Sequence, residues 1–485
     1  MAPHRHSRSQ WRIWRLMAGL ACATVLLAGC ALRPINAPLA EASEDQGYRW
    51  ASRQAQPDND PDTLLVLVFS GGGTRAAAFS YGVLEELRRT PAGVPGATRT
   101  MLNEVDLVTG VSGGSFTALS YGLYGEKLFE NYEAQFLKRN VEAELIKRLL
   151  NPLTWPSTWS SGFGRSELAE QYYDEILFHG ATYGDIAAKP LPTVLVSATS
   201  VSTGAEWVFS QTNFDLICSD MSQMSLARAA AASSAVPIVM SPVTLNNYAG
   251  QCAYRVPAWL ADAASAPWPG TRLQQRLREM SRYQDSAKRP YIHLVDGGLA
   301  DNLALYAFVG DLQELALSER FREQLTGAKL RRVAVVVVNA RSTVDLDYDQ
   351  REVAPSAFEL LMQAVSVPID RFSSEAIYAL QDIVAQWRLE RSLAVDAKRL
   401  GTDPTAAIDV PAIDFSIVNV SFDALPDVAE RDYLLNLPTS LFLSSESVDR
   451  LRNAAAQLLR DSPAFRKLVL DMSSASASSR PEPQP

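Results

Sequence analysis

Leu64-Leu65-Val66-Leu67-Val68-Phe69-Ser70-Gly71-Gly72-Gly73-Thr74-Arg75 is the stretch on which the fold turns. Its first six residues are apolar without a break. A half-exposed strand alternates apolar and polar residues, so an unbroken run predicts a strand buried on both faces. The run ends in glycines and enters a helical stretch over about 74–89. A second such unit follows. Val105-Asp106-Leu107-Val108-Thr109 reads as a strand, Gly110-Val111-Ser112-Gly113-Gly114 as a sharp turn, and the residues beyond as a helix. Further strands are predicted at 193–198, 291–295, 333–339 and 415–420, and long helices at 126–150, 166–178, 355–395 and 446–470. Such alternation predicts a three-layer α/β/α sandwich with a largely parallel central sheet. No internal repeat and no strong linker interrupts 62–471, which reads as one elaborated domain with a C-terminal helical extension.

The chain has 485 residues, 47% hydrophobic and 20% charged, the composition of a folded globular protein. Its formal net charge of -9 argues against nucleic acid as a partner. The N-terminus has a separate character. Arg5, Arg8, Arg12 and Arg15 precede an apolar run over 16–29 that is short for a permanent membrane span. Residues 1–29 therefore read as a secretory signal peptide. Residues 30–61, rich in Ala, Pro, Asp, Glu and Gln, read as a tether, and 472–485 as a disordered tail. Export would bring Cys218 and Cys252 into an oxidising compartment, where they can form a disulfide; two buried thiols are the alternative.

Gly110-Val111-Ser112-Gly113-Gly114 fits G-x-S-x-G, the turn that projects a nucleophilic serine from the end of a strand. Its plain alternative is a serine that caps a helix. The glycine loop after the first strand admits three readings. A phosphate-binding loop of the NTPase kind fails, because no Gly-Lys-Ser/Thr follows. A dinucleotide fingerprint can be traced through Gly71, Gly73 and Ala76, but it wants an acidic residue where the second strand ends in Thr109-Gly110. An oxyanion hole fits, since consecutive glycines expose backbone N–H groups.

A serine nucleophile needs a base. The histidines are His4, His6, His179 and His293, and the first two lie in the signal peptide. His179 ends a predicted helix and reads as a C-terminal cation; His293 lies in a predicted buried strand and reads as a core residue. Asp296-Gly297-Gly298 closes that same strand, which in a parallel sheet would place Asp296 at the edge that carries Ser112. An aspartate near its usual 3.9 is a weak base, and burial strengthens it. Taken alone, Asp-Gly-Gly is a turn.

Together these stretches resemble the patatin-like phospholipases over roughly 62–340, with the motifs in the family's order. Ser70 to Arg75 is similar to their oxyanion loop, Gly110 to Gly114 to their nucleophile elbow, and Asp296-Gly297-Gly298 to their catalytic aspartate motif. Ala227-Arg228-Ala229 through Ser233-Ser234-Ala235-Val236-Pro237 is similar to the Ala/Ser-rich helix between elbow and aspartate. Ala76 departs from the family's usual glycine. The resemblance implies a Ser112–Asp296 dyad, an oxyanion loop of Gly71, Gly72, Gly73 and Arg75 in which the Gly72 and Gly73 N–H groups hold the oxyanion and Arg75 stiffens the loop, flanking elbow residues Gly110 and Gly114, and no metal or cofactor. It implies hydrolysis of acyl esters in membrane lipids or lysophospholipids. An acyltransferase or thioesterase with the same dyad, or a non-enzymatic lipid-binding envelope lipoprotein, are the alternatives. Leu27-Ala28-Gly29-Cys30 resembles a bacterial lipobox, implying cleavage before Cys30 and its lipidation; a plain signal peptide with an incidental Cys30 is the alternative. With Ala31 next, that resemblance implies an anchor in the outer membrane, facing the periplasm.

Two regions bear on substrate. Residues 151–165 hold Trp155, Trp159 and Phe163, which suit either an acyl groove or membrane interface, or ordinary core under a loop. Residues 244–289 hold Trp259 and Trp268 and read as a surface elaboration, with a moving lid as the alternative.

Overall fold

The computed structural model describes residues 33–43, 46–49, 59–93, 99–152, 163–190, 192–257, 272–305, 330–343, 352–400 and 412–478. Among the described residues the strands are β1 (Thr63–Phe69), β2 (Val105–Val111), β3 (Thr193–Ser200), β4 (Glu206–Val208), β5 (Val243–Asn246), β6 (Tyr291–Asp296), β7 (Arg332–Asn339) and β8 (Asp414–Ser421). The helices that matter below are α1 (Gly73–Arg89), α2 (Gly113–Tyr124), α3 (Leu226–Ser233), α4 (Gly298–Asp301), α5 (Ala357–Leu400), α6 (Ser445–Asp461) and α7 (Pro463–Ser478).

The strands form one sheet in the order β5-β6-β3-β2-β1-β7-β8, with β4 paired to β3. The run β3-β2-β1-β7-β8 is parallel throughout. β1 lies inside it and explains its own sequence. Leu65, Leu67 and Phe69 pack on one face with residues of α1, α2 and α6. Val66 and Val68 pack on the other with Ala376, Leu380 and Val384 of α5. A strand sandwiched this way has no polar face to show. The result is a three-layer α/β/α sandwich.

β6 runs antiparallel to β3, not parallel, through three pairs that match Ala198 with Asp296 and Ser200 with Leu294. It comes in from beyond the edge of the parallel strands and stops there, so Asp296 still reaches that edge. The helix expected over 126–150 is broken: a π-turn at Glu133–Leu137 ends one segment, and Asn140, accepting the Ala143 N–H at 2.9 Å, starts Val141–Leu150. The helix expected over 446–470 divides before Pro463, which cannot donate a backbone hydrogen bond and begins α7. α7 then continues to Ser478, so a disordered tail does not begin at 472.

The tether reading of 30–61 is also overturned in part. Asn36 donates to Ser219 Oγ at 2.9 Å and to the Asn246 carbonyl at 3.0 Å, and Leu39 N–H donates to the Cys218 carbonyl at 2.7 Å. Tyr48 is buried, and its hydroxyl accepts the Val194 N–H at 2.6 Å. Arg49 forms a buried ion pair with Asp215 at 2.8 Å. Chain that makes such bonds is part of the fold. Cys218 and Cys252 are joined as a disulfide with Cα atoms 5.4 Å apart, and the segment from 33 to 43 lies along it. The elaboration over 244–289 contributes most of β5, an edge strand of the sheet. Cys30, Trp155, Trp159, Trp259 and Trp268 lie outside the described residues.

Candidate active site

Ser112 sits where β2 gives way to α2, with φ 47° and ψ -117°. That backbone conformation is costly for a non-glycine residue and is the strained turn that G-x-S-x-G signals. The surroundings hold it there. Its N–H donates to Ser233 Oγ at 2.8 Å, and its carbonyl accepts the Ser115 N–H at 3.0 Å. Gly114 has no room for a side chain: a Cβ there would lie 2.6 Å from the Ser70 carbonyl oxygen. At Gly110 it would press on Ala118 at 3.0 Å. These two glycines allow α2 to begin directly against the end of β1.

Ser112 Oγ donates to Asp296 Oδ2 at 2.9 Å. Both residues are buried, each 8% exposed. The other carboxylate oxygen of Asp296 accepts the Gly298 N–H at 2.8 Å. The Asp296 N–H donates to the Ala235 carbonyl at 2.9 Å, and Thr199 Oγ1 donates to its carbonyl oxygen at 2.8 Å. Burial pushes the Asp296 carboxyl up to about 6, opposed by the hydrogen bonds from Gly298 and Ser112. Desolvation thus gives this aspartate the basicity that exposed carboxylates lack. The Tyr173 phenol, buried nearby, is pushed upward first by desolvation and also by the Asp296 charge, so it stays neutral.

The glycine loop lies against this pair. A Cβ at Gly71 would come within 3.3 Å of Ser112 Cβ. A Cβ at Gly113 would come within 2.0 Å of the Gly73 carbonyl oxygen, so loop and elbow meet backbone to backbone. Gly72 and Gly73 have φ of 132° and 59°, which glycine adopts without strain. The N-termini of α1 and α2 therefore converge beside Ser112, where their free N–H groups and dipoles favour negative charge.

The four residues assigned to the oxyanion hole do not act alike. The Gly71 N–H is committed to the Asn302 carbonyl at 2.9 Å, so it is a structural bond. Arg75 is buried and turned away from Ser112. It donates to the Ala340 carbonyl at 2.9 Å, to the Leu437 carbonyl, and to Thr439 Oγ1 at 3.1 Å. It is a strut that ties the loop to the C-terminal part of the chain. The Gly72 and Gly73 N–H groups have no acceptor among the described residues, and the same holds for Gly113.

Neither histidine joins the pair. His293 is exposed on β6, not buried, and its Nδ1 bonds Thr244 Oγ1 at 2.9 Å. His179 is exposed, in the left-handed conformation that ends a helix. Gly113, Ser233 and Asn302 were missed as functional positions by sequence reasoning. Each had a signal: Gly113 follows the serine directly, Ser233 ends the Ala/Ser-rich segment, and Asn302 lies six residues after Asp296.

The sequence profile of the patatin-like phospholipases matches residues 67–309, which contain the glycine loop, the elbow and Asp296. No curated protein matches the sequence. Among solved structures, human GIVD cytosolic phospholipase A2 aligns at 12% identity over 88% of this chain and 64% of that one, with a TM-score of 0.40. VipD from Legionella pneumophila aligns at 12% identity over 92% and 79% of the two chains, with a TM-score of 0.26. The chain thus spans less than two thirds of the human protein's length.

Proposed function

The chain belongs to the patatin-like phospholipase family, and we propose that it is a serine lipid acyl hydrolase of the phospholipase A or lysophospholipase type. The observation that carries this reading is the hydrogen bond of 2.9 Å from Ser112 Oγ to a buried Asp296. In the proposed reaction Asp296 takes the proton from Ser112 as Oγ attacks the ester carbonyl carbon. The N–H groups of Gly72, Gly73 and Gly113 hold the negative oxygen that forms. The C–O bond to the glycerol side breaks, and the leaving alkoxide takes the proton from Asp296. Water then attacks the acyl-enzyme, again giving its proton to Asp296. Fatty acid leaves as the C–Oγ bond breaks, and Oγ recovers the proton.

The substrate is proposed to be membrane lipid or lysophospholipid. The setting is proposed to be the cell envelope, with Cys30 as the lipidated anchor after signal removal. Arg33, three residues on, donates to the Thr244 carbonyl at 3.1 Å, so such an anchor would hold the fold close to the membrane. The test is release of fatty acid from a panel of phospholipids and lysophospholipids by the full-length protein, with Ser112→Ala as control. Release that depends on Ser112 supports the reading. Acyl transfer to an added alcohol with no free fatty acid would favour the acyltransferase alternative, and no reaction would leave lipid binding alone.

A further inference from the structure

Helix α5 changes character along its length. From Ser373 onward it has a buried side made of Ser373, Ala376, Ile377, Leu380, Val384 and Trp387, spaced three or four residues apart. Before Ser373, no residue from 357 whose side chain is described is buried. Yet 357–369 reads Ala-Phe-Glu-Leu-Leu-Met-Gln-Ala-Val-Ser-Val-Pro-Ile, with Glu359 its only charge before Asp370, which is half-buried, and Arg371, which is exposed. Leu360, Leu361, Val367 and Phe372 are 54%, 48%, 39% and 56% exposed. Only half-burial at Glu359, Gln363, Val365, Ile369 and Asp370 supports this stretch, and Pro368 inside it removes a backbone hydrogen bond. An apolar stretch of this kind on a folded protein marks a surface meant to be covered.

Its position indicates by what. Ser373, where burial begins, accepts a hydrogen bond of 3.4 Å from Asn302 Nδ2. The Asn302 carbonyl in turn accepts the Gly71 N–H beside Ser112. On the Asp296 side stands a second exposed apolar element. The turn after α3 presents Ile238 and Val239, 46% and 53% exposed, three and four residues beyond Ala235, whose carbonyl holds the Asp296 N–H. Ile238 has φ 75°, a strained value for a β-branched residue that gains no burial from it. Apolar elements thus lead away from both sides of the dyad.

We propose that residues 357–372 of α5 dock on a phospholipid surface, lying along the boundary between headgroups and acyl chains and so presenting lipid to Ser112. This rests on the acyl-hydrolase reading above. Among the described residues no helix is long and apolar enough to cross a membrane, whereas a short apolar helix face is suited to lie within the interface. A lipid surface met by these two elements, each linked by hydrogen bonds to the Ser112–Asp296 pair, would supply the substrate of the proposed reaction.

The test uses the full-length protein with vesicles of phosphatidylcholine and phosphatidylglycerol, and a soluble short-chain ester beside them. The double variant Leu360→Asp, Leu361→Asp should hydrolyse vesicle lipid at least tenfold more slowly, while its rate on the soluble ester falls less than twofold. A dye sensitive to polarity, attached through Ala364→Cys, should shift to the blue when vesicles are added. Equal rates on vesicles for variant and parent, or an unshifted dye, would overturn the proposal. A loss equal on both substrates would also overturn it, since the helix would then be supporting the site itself. If the parent hydrolyses neither substrate, the acyl-hydrolase reading fails, and the dye still decides whether this helix meets lipid.

Discussion

Acidification should switch the site off in a way that reports the burial of Asp296. The perturbation is pH alone, between 4.5 and 8. Burial displaces this carboxyl from 3.8 to about 6, which corresponds to about 3 kcal/mol set against the charged form. The base works only when ionised, so kcat/KM on a soluble ester should rise with pH and level off above neutrality. With a midpoint at about 6, about one enzyme in ten is competent at pH 5 and about nine in ten at pH 7. The same displacement has a consequence for stability. A carboxyl raised by folding favours the folded state most below its unfolded value of 3.8, and that contribution is lost as pH rises through about 6. Asp296→Asn, which never carries the charge, should therefore gain stability relative to the parent above pH 6, by up to about 3 kcal/mol in denaturant titrations, while losing turnover. A midpoint near 4 would show that Asp296 is solvated and an ordinary carboxylate. A midpoint that disappears with His293→Ala would show that the base is a histidine.

Other perturbations test the supports. Gly113→Ala should lower kcat by about 100-fold or more while the protein still folds, because the new methyl must push the Gly73 carbonyl aside and with it the oxyanion donors; wild-type turnover in this variant would remove the loop from the mechanism. Opening the Cys218–Cys252 disulfide with Cys218→Ala and Cys252→Ala should cost about 3–4 kcal/mol in denaturant titrations, given the separation of 34 residues that it closes; an unchanged midpoint would contradict this. Cys30→Ser should leave an unlipidated precursor in intact mass spectra of the exported protein, and a normal acyl mass on that variant would exclude Cys30 as the anchor.

What the sequence revealed, and what it hid, follows from the range of the interactions. β1 was legible because burial on both faces leaves an unbroken apolar run, and the elbow because Gly110 is demanded by Ala118 and Ser115 close by in sequence, whereas Gly113 and Gly114 answer to Gly73 and Ser70 of the distant glycine loop. The direction of β6 was hidden, since it depends on pairing Ala198 with Asp296 across distant sequence. The exposure of His293 is legible in the alternation Tyr291, Ile292, His293, Leu294, which marks one open face. That Arg75 stiffens the loop was legible, but its acceptors, at 340, 437 and 439, were hidden because they come from segments far along the chain. The segment from 33 to 49 misled by composition. Its polar residues suggested a leash, but Asn36 and Arg49 are fold contacts whose partners, Ser219, Asn246 and Asp215, no local pattern reveals.

A nucleophilic Ser112 driven by Asp296 without a histidine leaves a chemical signature. Reacting the protein with a fluorophosphonate and locating the adduct by peptide mass spectrometry reads it. One adduct is expected, on the peptide containing Ser112, formed as readily in His293→Ala and His179→Ala as in the parent, much slower in Asp296→Asn, and absent in Ser112→Ala. An adduct on another serine, persistent labelling of Ser112→Ala, or loss of labelling in either folded histidine variant would contradict it.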